Sequence, residues 1–324
     1  MKLELDLDTW PLREPFVTAR DAVTGITTLT AVITDGNFQG RGEALGVSYL
    51  DETNESMAAA IHDVQDEIEA GIDVEDLQQL LGPGGARNTL DCALWDLRAK
   101  REKARVWELL QIDARPVTTV FTLSLAAAEQ MAGQARAMSD CPVLKVKLDA
   151  SDTAAKIRAI RKARADADIV IDANGSWTID LLDELAGVLV DSRVSMVEQP
   201  LPAGADDELA RFDFPVTLCA DESCQSTADL DYCAARYRMI NIKLDKCGGL
   251  TEAMRMVDEC RHRGLELMVG NMLGSSLAMA PAMMPAQFCR YVDLDGPLFQ
   301  VHDREHALEY RNGLVGLPDA GLWG

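Results

Sequence analysis

The sequence predicts an α/β fold, a parallel barrel of alternating strands and helices joined to a smaller α+β unit, and three observations carry that prediction. Short β-branched or apolar runs recur at 117–122, 143–147, 169–171, 194–197, 216–218, 239–242, 265–269 and 291–294, each followed by a helical stretch. Eight strands alternating with helices favour a closed barrel over an open sheet. The polar residues that end these runs are nearly evenly spaced: Lys147, Asp172, Glu198, Asp221 and Lys246 stand 25, 26, 23 and 25 residues apart. That interval fits one strand, one helix and their turns. Ahead of the repeat the pattern is different, with alternating strands over 2–7 and 27–34 and helical spacing over 52–70 and 86–103, as in Leu90, Leu94, Trp95 and Leu97. The tail from Gly296 lacks the repeat and is expected to return to the first unit.

Composition agrees with this size and class. The 324 residues, 48% hydrophobic and 26% charged, can bury a barrel core and that of a companion domain. Eight cysteines stand singly with no CxxC pair, which predicts reduced thiols in a cytoplasmic protein and no structural zinc. The opening MKLELDLDTW has neither a basic stretch nor an apolar run, so no signal peptide is expected. Residues 267–289 are uncharged and long enough to cross a bilayer. Gly270, Asn271, Gly274, Ser275, Ser276, Pro281 and Pro285 break that stretch, and such punctuation suits a buried strand, loop and helix. A net charge of −22 would repel nucleic acid and anionic membranes. A small molecule is the expected partner, with a homo-oligomer compatible with the sequence.

Residues at the carboxyl ends of successive barrel strands converge on one mouth, so the five evenly spaced side chains are expected to share a space. Asp172, Glu198 and Asp221 form an oxygen-rich set suited to Mg²⁺, a hard cation. Taken singly, each could be a helix N-cap. Lys145 and Lys147 lie two apart on one strand and project to the same face. Two adjacent ammonium groups, partly buried, disfavour each other's charge, so one lysine pKa can fall toward working pH and yield a base. In KLDKCGGL (243–250), Lys243 is flanked by Ile242 and Leu244 and reads as barrel interior, while Lys246 sits at the mouth. Gly248 and Gly249 beside it suggest a close backbone approach.

The motifs LKVKLD (144–149), DANGSW (172–177), VEQPL (197–201), CADES (219–223), NIKLDKCGGLTEA (241–253) and DLDGP (293–297) together resemble the enolase superfamily, muconate-lactonising subgroup. More narrowly they resemble its dipeptide epimerases of the L-Ala-D/L-Glu type. The likeness extends through PFVTAR (15–20), RGEA (41–44) and ARNTLDCALWDLRAK (86–100), and so covers nearly the whole chain. It implies a modified (β/α)8 barrel of the TIM type with an α+β capping domain. The expected divisions are cap at 1–112, catalytic barrel at 113–295, and a segment at 296–324 that rejoins the cap.

The resemblance further implies Mg²⁺ on Asp172, Glu198 and Asp221, with Lys147 as the base on one face, Lys145 tuning it, and Lys246 serving the other face. Asp293 and Asp295 would hold the ammonium of a dipeptide, and Arg20 would reach a side-chain carboxylate. Asn271 stands where the family often has cysteine, and the loop GEALGVSYLDE (42–52) departs from the form common in relatives. Both bear on substrate choice. The expected activity is two-base 1,1-proton transfer that inverts the α-carbon of the carboxyl-terminal residue. The alternatives are racemisation of an N-acyl amino acid such as N-acetylglutamate, another reaction of the subgroup, or a barrel that only binds a ligand.

Overall fold

The protein, seen in a computed structural model, is described over residues 1–19 and 21–324. Strands β1 (Lys2–Val17), β2 (Ala22–Asp35) and β3 (Phe38–Ala44) form an antiparallel meander. In β2 the alternate residues Leu29, Ala31 and Ile33 are buried against helices, as period-two patterning requires. Those helices are α1 (Asn54–Asp63), α2 (Gln65–Ala70), α3 (Val74–Leu80) and α4 (Gly85–Glu102), with a short α5 (Val106–Leu109) after them. Thr53 caps α1 by accepting from Ser56 N, and Asp73 caps α3 by accepting from Glu75 N and Asp76 N. Helix α4 is buried on nearly every side because it lies between the meander and the barrel. It comes so close to β3 that a Cβ on Gly40 or Gly42 would sit 2.1 Å from a helix carbonyl oxygen, so only glycine fits there.

The run predicted at 117–122 divides in two. Strand β4 (Val117–Thr118) pairs outside the barrel, and β5 (Phe121–Leu123) begins the parallel sheet. There follow β6 (Val143–Lys147), β7 (Asp168–Asp172), β8 (Val194–Glu198), β9 (Thr217–Ala220), β10 (Met239–Lys243), β11 (Glu266–Gly270) and β12 (Tyr291–Val292), hydrogen-bonded in chain order. A bond from Val120 N to Val292 O, 2.8 Å, links the first strand's end to the last. Helices α6 (Ala128–Ala137), α7 (Thr153–Ala163), α8 (Ile179–Asp191), α9 (Leu230–Ala234), α10 (Leu244–Cys247), α11 (Leu250–Arg263) and α12 (Ser276–Ala286) lie along the connections. The repeat is imperfect between β8 and β9, where a 3-10 turn at Asp207–Arg211 replaces the expected helix. Pro202, Gly204 and Pro215 crowd that segment and deny it a helical run.

Strand parity sorts the core. Leu144, Val146, Ile169, Ile171, Ile240, Ile242 and Val269 point outward into the layer under the helices. Val120, Val170, Met196, Cys219, Met239, Met268 and Tyr291 point inward and form a separate apolar plug inside the barrel. The polar site rests on that plug.

The close approach suggested by Gly248 and Gly249 is to the cap, not to a ligand. Their φ values are +82° and +110°, and a Cβ there would strike Arg87 and Asp91 of α4. Arg87 Nη2 donates to Cys247 O at 2.5 Å, Thr251 N donates to Asp91 at 3.0 Å, and Trp95 Nε1 donates to Thr251 Oγ1 at 2.9 Å. The tail also returns to α4: Trp323 Nε1 donates to Cys92 O at 3.0 Å and Gly324 N to Asp96 at 2.7 Å. Before it, β13 (Tyr310–Arg311) and β14 (Leu314–Val315) make a small antiparallel sheet with β4. All eight cysteines are free thiols. The uncharged stretch 267–289 folds as most of β11, a loop and α12, and no helix among the described residues is long and apolar enough to cross a membrane.

Candidate active site

Above the apolar plug, the next inward residues of the strands are charged. On β6 they are Lys145 and Lys147, alternating with Leu144 and Val146, which face outward. The register sets Lys147 beside Asp172, and Asp172 beside Glu198, in one row at the strand ends. Asp221 lies one residue past β9, and Asn241 and Lys243 alternate inward on β10. The ring order places β6 and β10 four strands apart in either direction, on opposite walls. Asn271, Asp293, Asp295 and Thr122 complete the circle from the ends of β11, β12 and β5.

Ion pairs knit this ring together. Lys145 Nζ lies 3.1 Å from Asp172, 2.8 Å from Glu198 and 2.6 Å from Asp293. Lys147 Nζ donates to Asp172 at 2.6 Å and to Asn174 Oδ1 at 3.2 Å. Lys243 Nζ donates to Asp221 Oδ2 at 2.7 Å. The expectation that the lysine pair would lower a pKa does not hold for Lys145. Burial opposes its charge, yet Asp293, Glu198 and Asp172 outweigh burial and hold it well above the ordinary lysine range. Lys243 is likewise raised: burial is the largest single effect and opposes its charge, but Asp221, Glu198 and Tyr49 together outweigh it.

Lys246, expected at the mouth, is turned away from the cavity and is 1% exposed. Its ammonium donates to Asp221 Oδ1 at 2.7 Å and to the carbonyls of Asp221, Cys224 and Asn241. An ammonium has three protons to donate, so these acceptors saturate it. Lys243 lines the cavity in its place. The parity of β10 was the available signal, since Lys243 shares the inward face with Asn241. Lys246 lies within a helical turn, α10, which rotates it beneath the strand end. Lys246→Met is accordingly expected to cost about 3–5 kcal/mol of folding stability, because Asp221 Oδ1 and the buried carbonyls of Asp221, Cys224 and Asn241 lose their shared donor at once, although Lys243 still pairs with Asp221 Oδ2. Urea unfolding measures this, and a loss below ~1 kcal/mol would contradict a structural role.

Compensation is uneven across the carboxylates: burial opposes their charge, yet the neighbouring lysines hold Asp172 and Asp221 below the ordinary carboxylate range, and Glu198 is the exception. Burial, then the neighbouring Asp172 carboxylate, push Glu198 up to about 8. Glu198 Oε2 faces Lys145 at 2.8 Å, but the angle is not that of a hydrogen bond, and it and Asn241 Oδ1 are buried with no hydrogen-bond partner. Glu198 Oε1 accepts from Asn241 Nδ2 at 2.6 Å. Among the described residues no three acidic groups are drawn close enough to ligate one ion in this arrangement, because lysine ammonium groups stand between them. The donor set, three buried carboxylates at adjacent strand ends with an orphaned oxygen, nonetheless fits a hard divalent cation.

On the far side, Asp293 and Asp295 both face the cavity. Asn271 Nδ2 donates to Asp293 O at 2.7 Å and Oδ1 at 3.2 Å, so Asn271 orients that carboxylate. Thr122 N donates to Asp295 Oδ2 at 2.6 Å. Burial and the adjacent Asp293 push Asp295 well above the usual carboxylate range. The cavity holds about 490 Å³ and is roofed by cap residues that include Phe16, Leu45, Ser48 and Tyr49. Those roof residues carry no strand-end signal, and only packing of the cap brings them in. Arg20 lies outside the described residues.

Two family models cover the chain. Residues 126–322 match the enolase C-terminal domain-like family, and residues 2–111 match the mandelate racemase/muconate lactonizing enzyme N-terminal domain. The chain belongs to the enolase superfamily. Among curated relatives of this superfamily member, the L-Ala-D/L-Glu epimerase of Escherichia coli (strain K12) is 39% identical over 96% of this chain and 98% of its own. The N-acetyl-D-glutamate racemase of a Pseudoalteromonas species is also 39% identical, over 91% of this chain and 95% of its own. A solved enolase family member from Agrobacterium tumefaciens, with homology to dipeptide epimerases and with bound sodium and L-Ala-L-Glu, has a TM-score of 0.97 and 42% identity over 99% of both chains. The dipeptide epimerase of Methylococcus capsulatus, complexed with Mg and L-Arg-D-Lys, has a TM-score of 0.90 and 28% identity over the full length of both.

Proposed function

We propose that this chain is a Mg²⁺-dependent dipeptide epimerase that inverts the α-carbon of the carboxyl-terminal residue, with L-Ala-D/L-Glu as its substrate type. The observation that carries the reading is the placement of Lys147 and Lys243 on opposite walls of one cavity. A substrate α-carbon between them presents one face to each. The lysine that is neutral takes the α-proton onto its Nζ, and the opposite ammonium returns a proton to the other face. One turnover therefore exchanges the protonation states of the two lysines and inverts the carbon. Lys243 here replaces Lys246 as the second base, for the reason of burial given above. Asp172, Glu198 and Asp221 would hold the cation, which would supply positive charge where negative charge grows on the substrate carboxylate.

The two relatives of equal identity divide between dipeptide and N-acetylglutamate, so the choice rests on the amino end of the site. Two adjacent carboxyls, one pushed toward its neutral form by burial and by the other, favour a cationic guest that lets both ionise. An ammonium does this and an acetyl group does not. Comparison of kcat/KM for L-Ala-L-Glu and N-acetylglutamate, in the native enzyme and in Asp293→Asn, tests the reading. The dipeptide should be preferred, and the variant should lose roughly 30-fold or more of that efficiency, the equivalent of about 2 kcal/mol or more for a buried charge pair. Preference for N-acetylglutamate with no effect of Asp293→Asn would assign the racemase activity instead.

The same reading keeps a cytoplasmic setting with reduced thiols. It also keeps a division into cap (1–112), barrel (113–295) and returning tail (296–324). An Arg20 contact to the glutamate side chain belongs to it as well, with Arg20→Ala expected to raise KM for L-Ala-L-Glu more than for L-Ala-L-Leu.

A further inference from the structure

Behind the amino end of the site lies a second, larger cavity of about 720 Å³ on the flank of the barrel, with Phe121, Phe299 and Tyr310 among its walls. The acid pair stands at the boundary between the two spaces. Asp295 faces the active cavity, while Tyr310 of the second cavity donates its hydroxyl to Leu294 O, 2.7 Å, between the two aspartates. Among the described residues, Phe16 and Thr122 line both cavities. Thr122 belongs to β5, is 3% exposed, and has its backbone N–H committed to Asp295. Its place is set by the barrel.

Phe16 is different in origin. It comes from the end of β1, beyond the register shift that separates Pro11 from Phe16, so it is delivered by the cap and not by the barrel. Its ring meets Phe299 edge-on at 5.1 Å between centroids, and Phe299 meets Phe121 at 5.5 Å. This aromatic row closes the gap between the cavities.

We propose that Phe16 is the specificity-determining wall at the amino end of the substrate, limiting the first residue of a dipeptide to a small side chain. The proposal rests on the dipeptide reading. An ammonium held by Asp293 and Asp295 fixes the α-carbon that bears it within one bond. The first side chain therefore leaves that carbon at the boundary formed by Phe16 and Thr122. A methyl group fits against such a wall, whereas an isobutyl or benzyl group must pass through it. The space beyond already exists, so shortening Phe16 joins the two cavities and gives a bulky first side chain an apolar destination.

The test is a graded series, Phe16→Trp, Phe16→Leu and Phe16→Ala, assayed with L-Ala-L-Glu, L-Leu-L-Glu and L-Phe-L-Glu. The ratio of kcat/KM for L-Phe-L-Glu over L-Ala-L-Glu should rise roughly tenfold or more in Phe16→Ala, rise less in Phe16→Leu, and fall in Phe16→Trp. The change should come chiefly through KM. An unchanged ratio in folded Phe16→Ala overturns the proposal. If circular dichroism shows that variant unfolded, the opposite shifts of Phe16→Leu and Phe16→Trp decide the matter, and parallel or absent shifts overturn it. If the native enzyme turns over no dipeptide, the dipeptide reading fails by itself. The same series is then read with N-acetylglutamate and N-hexanoylglutamate, whose acyl groups meet the same wall, and a constant ratio there overturns the proposal.

Discussion

Lys243→Ala is expected to abolish net epimerisation, with a fall of roughly 10³-fold or more, while the protein stays folded. The fold should survive because Asp221 retains Lys246 as its buried partner, and the truncated position opens into the cavity. One face keeps its base. In deuterated water the Lys243→Ala enzyme should still exchange the α-hydrogen of one stereoisomer through Lys147, and Lys147→Ala should exchange only that of the other. Proton NMR of each isomer of L-Ala-Glu reads both outcomes directly. Normal racemisation by Lys243→Ala would rule out the two-base assignment. Combined with the stability measurement on Lys246→Met, this separates the two lysines, one acting on substrate and one holding the strand ends.

Exhaustive chelation is expected to take turnover to background, and Mg²⁺ or Mn²⁺ to restore it. Loss of the charge stabilisation that such a cation supplies is several kcal/mol, on the order of 10³-fold in rate. The physical reason lies in the site itself. Three buried carboxylates stand at adjacent strand ends, and the one the lysines compensate least is Glu198, which burial and Asp172 push up and whose Oε2 has no hydrogen-bond partner. Binding should also be visible without catalysis, since a ligand of the native state raises its melting temperature. Mg²⁺ should stabilise the native protein and should stabilise Asp221→Asn much less. Full activity after chelation would overturn the cation's role.

The sequence located most of the site because barrel geometry is periodic. Lys147, Asp172, Glu198 and Asp221 recur at the length of one strand and helix, and that period alone brings them to one mouth. It failed at the fifth mark. A spacing of 25 residues points from Asp221 to Lys246, but strand parity and the turn of α10 put Lys243, three residues earlier, into the cavity. Interval counting tolerates an error of three residues, whereas side-chain direction reverses with one. The glycines at 248 and 249 show a related limit. Their sequence says that something comes close, and only the packed cap says that it is Arg87 and Asp91.

By itself, then, the sequence determined the barrel, its cap and the carboxylate row, since each follows from local periodicity that a single chain carries in order. The tertiary structure decided which lysine faces the substrate space, how Lys145 is held, and which cap residues roof the cavity. Those depend on long-range contacts, such as Lys145 to Asp293 and Phe16 to Phe299, between residues far apart in the chain. No local pattern encodes such pairs, because they exist only once the ring has closed and the cap has docked.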